Sequence, residues 1–148
     1  MSLKRISYEL KFLQGELPEF VEKIIIDPED IKNLDFIIKG PKDSPYEGGR
    51  FDVSMIMPIN YPFSSPNVRL KTKIYHPNFS FEGKLCKGCS FFISNWNPSL
   101  RIRHVLDNIY ECIEQLNTPC SFNFYYYSSY HEDKQLFLRI ARDFTLRG

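Results

Sequence analysis

The chain has 148 residues, a formal net charge of +1, and 43% hydrophobic and 16% aromatic residues. That length predicts a single domain spanning 1–148, large enough to bury a core without disulfide staples, and charged residues at 25% exclude wholesale disorder. The near-neutral balance argues against a general phosphate-backbone binder. No apolar run reaches the roughly 20 residues that span a bilayer, and residues 1–6 lack a signal peptide's apolar region. The expectation is a compact intracellular domain with no nucleic-acid or membrane partner.

Leu3, Ile6, Leu10 and Leu13 recur at spacings of three and four, which places them on one face of a first helix. Gly15 and Pro18 close it. Residues 21–27, 34–39, 50–57 and 67–71 are predicted strands. Gly40-Pro41, Gly48-Gly49, Asn60-Tyr61-Pro62 and Ser65-Pro66-Asn67 mark turns between them. Connections this short favour an antiparallel meander over crossovers. Six of the ten prolines fall between positions 41 and 77, at strand ends and edges, because proline has no N–H for a ladder. Residues 75–99 are irregular and predict a long ordered loop, the kind that carries function. Ser99 reads as an N-cap. It opens a helix with Ile102, Leu106, Ile109, Ile113 and Leu116 inward, and Arg103, Asp107, Glu111 and Glu114 on the wet face. Residues 131–146 predict one more helix, with Phe137, Ile140, Ala141 and Phe144 inward. The class is α+β, helices segregated from one antiparallel sheet.

Cys86 and Cys89 form a C-x-x-C pair, whereas Cys112 and Cys120 stand apart. A structural zinc site needs four ligands; there is no second pair, and His76, His104 and His131 lack ligand spacing, so no metal is expected. The pair sits in a loop after a meander, not at the strand-to-helix junction of a thioredoxin-like site. Cys112 lies on or beside the apolar helix face and reads as a small core residue. From spacing alone, Cys86 reads equally as a buried loop cysteine and as a reactive thiol. Neither a Gly-x-Ser-x-Gly elbow nor a Walker loop is present. Asn78-Phe79-Ser80 matches a glycosylation sequon, which matters only in a secreted protein.

The chain resembles the ubiquitin-conjugating enzymes, from Leu3-Lys4-Arg5-Ile6 to Arg139-Ile140-Ala141-Arg142. The residues carrying the likeness are Gly40-Pro41-Lys42-Asp43-Ser44-Pro45-Tyr46-Glu47-Gly48-Gly49, Tyr61-Pro62-Phe63 with Pro66, Tyr75-His76-Pro77-Asn78, Gly83-Lys84-Leu85-Cys86 and Trp96-Asn97-Pro98. Each is weak alone; in this order and spacing they are specific. The resemblance implies a helix, a four-stranded antiparallel meander and C-terminal helices. It assigns Cys86 as the thiol that accepts ubiquitin as a thioester. Asn78 becomes the amide that stabilises the oxyanion, or orders the loop, when a lysine attacks. His76 is expected to be structural, and Trp96 to pack under the active-site loop. Lys4 and Arg5 match the face that meets the activating enzyme and some ligases. Pro62 and Phe63 match the first ligase loop, and Asn97 and Pro98 the second. The implied partners are ubiquitin, its activating enzyme, and RING-type or HECT-type ligases, in the cytoplasm or nucleus. No cofactor is implied, because the upstream enzyme consumes the ATP.

Three features depart from the family pattern. Lys87 follows the cysteine where an aliphatic residue is common, and residues 87–95 run about two residues long. Lys87 could lower the Cys86 pKa, accept a modifier, or point to water. Residues 117–123, with Cys120 and Ser121, lack the carboxylate expected at the gate of the thioester site, which puts efficient lysine transfer in question. Asp107, Glu111 and Glu114 make acidic the helix face that can support donor ubiquitin. A non-catalytic scaffold, a carrier of another ubiquitin-like modifier, and redox control through a Cys86–Cys89 bridge are the alternatives. Six of the nine residues at 122–130 are aromatic; they are expected to pack the last helix onto the core, or to shape an entrance to Cys86.

Overall fold

The computed structural model describes residues 2–116 and 124–148. Helix α1 (Ser2–Gly15) leads into strands β1 (Val21–Ile26), β2 (Asn33–Lys39), β3 (Arg50–Ile56) and β4 (Asn67–Leu70). They are followed by α2 (Phe91–Ser94), α3 (Ile102–Glu114), α4 (Phe124–Glu132) and α5 (Lys134–Arg147). The strands pair antiparallel in sequence order, β1-β2-β3-β4, with Phe36 opposite Val53 and Met55 opposite Val68. The α+β meander and the four strands follow the expected pattern, each strand bounded within a residue of its predicted limits.

Alternation decides which face of the sheet is dry. Leu34, Phe36 and Ile38 on β2, and Phe51, Val53 and Met55 on β3, are buried, while their neighbours turn outward. Against this face lie Ile6, Leu10 and Leu13 of α1 and Ile102, Val105, Leu106, Ile109, Cys112 and Ile113 of α3. Of the stripe predicted for α3, Ile102, Leu106, Ile109 and Ile113 are buried, joined by Val105 and Cys112, whereas Leu116 lies past the helix end and is half-buried.

Four expectations about the helices and the long loop are corrected. Ser99 does not cap α3; the helix begins at Ile102, with Arg101 at the N-cap. The buried Glu9 carboxylate takes over the work of a cap, accepting from the Ile102 N–H at 2.8 Å, and His104 Nδ1 accepts from the Arg101 N–H at 2.9 Å. The predicted helix over 131–146 is two helices, broken at Asp133, whose side chain caps α5 by accepting from the Leu136 N–H at 3.1 Å. On α5, Phe137 and Ala141 are buried as expected, whereas Ile140 and Phe144 are 37% and 40% exposed, because the shorter helix rests on the core along a narrower stripe. A short helix, α2, also interrupts the predicted long loop. Of the aromatic run, Tyr126 and Tyr130 are buried; Tyr126 meets Tyr75 at 4.3 Å and Tyr130 meets Phe137 at 5.4 Å between ring centroids. These rings pack the C-terminal helices onto the core.

Candidate active site

The loop after β4 is folded back by Gly83, whose φ of +88° lies in the region glycine tolerates. A Cβ there would come within 1.9 Å of the Leu70 carbonyl oxygen. The turn lets the Leu70 N–H donate to Gly83 O at 2.9 Å and aligns Phe79 with Leu85 in an antiparallel bridge. Cys86 follows at once, and its N–H donates to Asn78 O at 2.9 Å. The two motifs that the resemblance singled out thus form one ladder.

The His76-Pro77-Asn78 segment is tied to the C-terminal end of α3. His76 is fully buried, stacked on Tyr46 at 5.0 Å. Its Nε2–H donates to Ile113 O at 2.7 Å, and its Nδ1 accepts from the Asn78 N–H at 3.0 Å. Burial drives its pKa down to about 3, so the ring is neutral and structural, as expected. Asn78 is also fully buried; its Nδ2 donates to Cys112 O at 2.9 Å and to Gln115 O at 2.5 Å. Both amide hydrogens therefore order the loop in this state.

Cys86 is 2% exposed and its sulfur is in a disulfide. Neither Cys89 nor Cys112 is in a disulfide, so a Cys86–Cys89 bridge is not present. The Cys112 thiol is held protonated by its hydrogen bond to Cys89 and by burial. Lys87 is exposed. Residues 117–123, where Cys120, Ser121 and the expected gate fall, lie outside the described residues. Among the described residues no cluster of three or more His, Cys, Asp or Glu could hold a metal.

The remaining candidates gather at one end of α1. Lys4 is exposed. Arg5 donates through Nε to Glu9 at 2.5 Å and through Nη2 to Pro98 O at 2.8 Å and Leu100 O at 3.1 Å. It thereby fastens α1 to the loop of Asn97 and Pro98, both exposed. Trp96 Nε1 donates to Pro62 O at 2.8 Å, and the indole tilts against Tyr61 at 5.8 Å. That ties the Asn97-Pro98 loop to the Pro62-Phe63 loop. Phe63 is 74% exposed. Lys4, Arg5, Pro62, Phe63, Asn97 and Pro98 are thus brought together around one rim. A cleft of about 360 Å³ opens beside it between α1 and α3, lined by Tyr8, Phe12, Leu13, Arg101, Arg103 and His104.

Two structural residues were not anticipated from sequence. Glu9, 6% exposed, accepts from Arg5, from the Tyr61 hydroxyl at 2.8 Å and from Ile102 N. Ser90, fully buried, donates from Oγ to Cys86 O at 2.5 Å. The only sequence signal for Glu9 is its i,i+4 relation to Arg5.

The sequence model of the ubiquitin-conjugating enzyme family matches residues 5–145. The chain belongs to this family. It is 40% identical over 102 residues to ubiquitin-conjugating enzyme E2 N of Macaca fascicularis, across 68% of this chain and 66% of that relative, just under two thirds of its length. Its fold is that of a Toxoplasma gondii ubiquitin-conjugating enzyme E2 domain, with a TM-score of 0.88 and 28% identity over 99% of this chain and 98% of that one. The crystal structure of a ubiquitin-conjugating enzyme candidate from Plasmodium yoelii has a TM-score of 0.90 and 29% identity over 99% and 94%.

Proposed function

We propose that the protein carries ubiquitin as a thioester on Cys86 and passes it to a lysine with the help of a ligase. The observation that carries this reading is the ladder joining Cys86 to Asn78, within a chain of this family. The Cys86 thiolate would attack the carbonyl of the activating enzyme's ubiquitin thioester. The new C–S bond forms as the activating enzyme's sulfur leaves. A lysine amine then displaces Cys86 and forms an amide. Asn78 contributes by ordering the loop, and by turning its amide to the oxyanion if the bonds to α3 loosen during transfer. Lys4 and Arg5 form the face for the activating enzyme and some ligases, and Pro62, Phe63, Asn97 and Pro98 the two loops for RING-type or HECT-type ligases, with Phe63 as their exposed apolar anchor. The setting is cytoplasmic or nuclear.

The chemistry needs a free thiol, so the Cys86 disulfide must first be reduced. A second reading takes its support from that blocked sulfur: a scaffold that docks partners without discharging. Pre-reduced protein incubated with activating enzyme, ATP and ubiquitin separates them. The carrier gives a thiol-labile adduct absent in Cys86→Ala and discharged by free lysine. Binding to partners with no adduct is the scaffold's result. An adduct with a related modifier alone would reassign the cargo.

A further inference from the structure

The segment after Cys86 is held by polar groups that the thioester reading leaves unused. The Cys86 carbonyl accepts twice, from the Ser90 N–H at 3.0 Å and from Ser90 Oγ at 2.5 Å. A fully buried hydroxyl must find a partner, because leaving it unsatisfied is costly; Ser90 has found the backbone of the candidate nucleophile. Farther along, Asn108 on α3 grips the same segment at two points. Its Nδ2 donates to Cys89 O at 3.1 Å, and its Oδ1 accepts from the Phe92 N–H at 3.5 Å. One helical turn on, Cys112 faces the same segment and offers its own carbonyl to Asn78 Nδ2. Helix α3 therefore holds both walls around Cys86, the Asn78 loop through main-chain carbonyls and the 87–92 segment through Asn108.

We propose that Ser90 and Asn108 are positioning residues that fix the Cys86 backbone and so set the direction from which its sulfur can be approached. The proposal rests on the reading of Cys86 as the thioester carrier, and it goes beyond that reading by assigning these two side chains. Ser90 acts directly on the Cys86 carbonyl; Asn108 keeps the segment seated so that Ser90 stays buried. With the clamp loosened, the sulfur becomes easier for a small reagent to reach but is misplaced for the large acyl donor, and small misplacements of a reacting atom are costly in rate.

Two rates on pre-reduced protein test this. One is alkylation of Cys86 by iodoacetamide, followed by peptide mapping across pH; the other is single-turnover charging with ubiquitin-loaded activating enzyme. In Ser90→Ala and Asn108→Ala, Cys86 alkylation should rise several-fold. Charging should slow about tenfold through its maximal rate, with the concentration dependence on the activating enzyme unchanged. Ser90→Thr, which keeps the hydroxyl, should restore both. Asp133→Ala, a distant variant that weakens the fold, should move neither. Both rates within twofold of wild type in Ser90→Ala and Asn108→Ala would overturn the proposal, as would equal effects from Asp133→Ala. Alkylation does not depend on ubiquitin. A protein that never charges, yet whose alkylation responds as described, loses the thioester reading and keeps the clamp.

Discussion

Buried polar residues fix the geometry around Cys86, and each makes a measurable demand on the fold. His76 is neutral in the folded chain, with its pKa pushed down to about 3 from an ordinary 6.5. Between these values the unfolded chain binds a proton that the folded chain does not. The contribution of His76 is therefore complete above about pH 6.5 and is lost progressively as pH falls toward 3, at up to about 1.4 kcal/mol per pH unit. Urea unfolding at pH 7.5 and 5 should show this loss, and His76→Asn should flatten it; equal slopes in the two proteins would contradict the assignment. Glu9 binds Arg5, Tyr61 and the start of α3 together. Glu9→Ala leaves those donors without their acceptor and should cost about 3 kcal/mol, with Glu9→Gln milder; a loss under about 1 kcal/mol by denaturant titration would show that the hub is dispensable. The resemblance singled out Cys86 and Asn78 on local motifs, and the fold joins their main chains. Glu9 and Ser90 carried no such motif, since two of the partners of Glu9 lie 52 and 93 positions away and the role of Ser90 depends on burial that no short motif encodes.

At the scale of elements, periodicity carried the reading wherever a face was buried in full. The strands and the inward stripe of α3 are visible as alternation and as spacings of three and four, since each packs one dry face. The helix ends were less legible. Ser99 has the chemistry of a cap but turns back on Asn97, whose Oδ1 accepts from the Ser99 N–H at 2.9 Å, because Glu9 reaches across from α1 to Ile102. Asp133 has the same chemistry and is used, dividing α4 from α5. Asp133→Ala should cost about 1 kcal/mol and lower the melting temperature by roughly 3 °C, whereas Asp133→Asn or Asp133→Ser should be nearly silent. No change in melting temperature in Asp133→Ala would mean that the α4–α5 break is held by packing of Tyr130 on Phe137 instead of by the cap.

In the whole molecule the meander is a platform, with α3 laid across its dry face as the shared support of everything near Cys86. The end of α3 holds His76 and Asn78; its middle holds the segment after the cysteine. A second cluster forms where Arg5 and Trp96 fasten α1 and two loops together. On the proposed reading the acyl-carrying cysteine and the ligase surface are built separately, so Phe63→Ala should weaken ligase-stimulated discharge while leaving charging within about twofold. Impaired charging in that variant would show that the activating enzyme uses the same anchor. Among the described residues no helix is long and apolar enough to cross a membrane. The central claim is that Cys86 carries the acyl group, and intact-mass spectrometry of the reduced protein after charging tests it most directly. A single added ubiquitin is expected, removed by thiol reagents and absent in Cys86→Ala. A thiol-resistant adduct, or one that persists in Cys86→Ala, would contradict it.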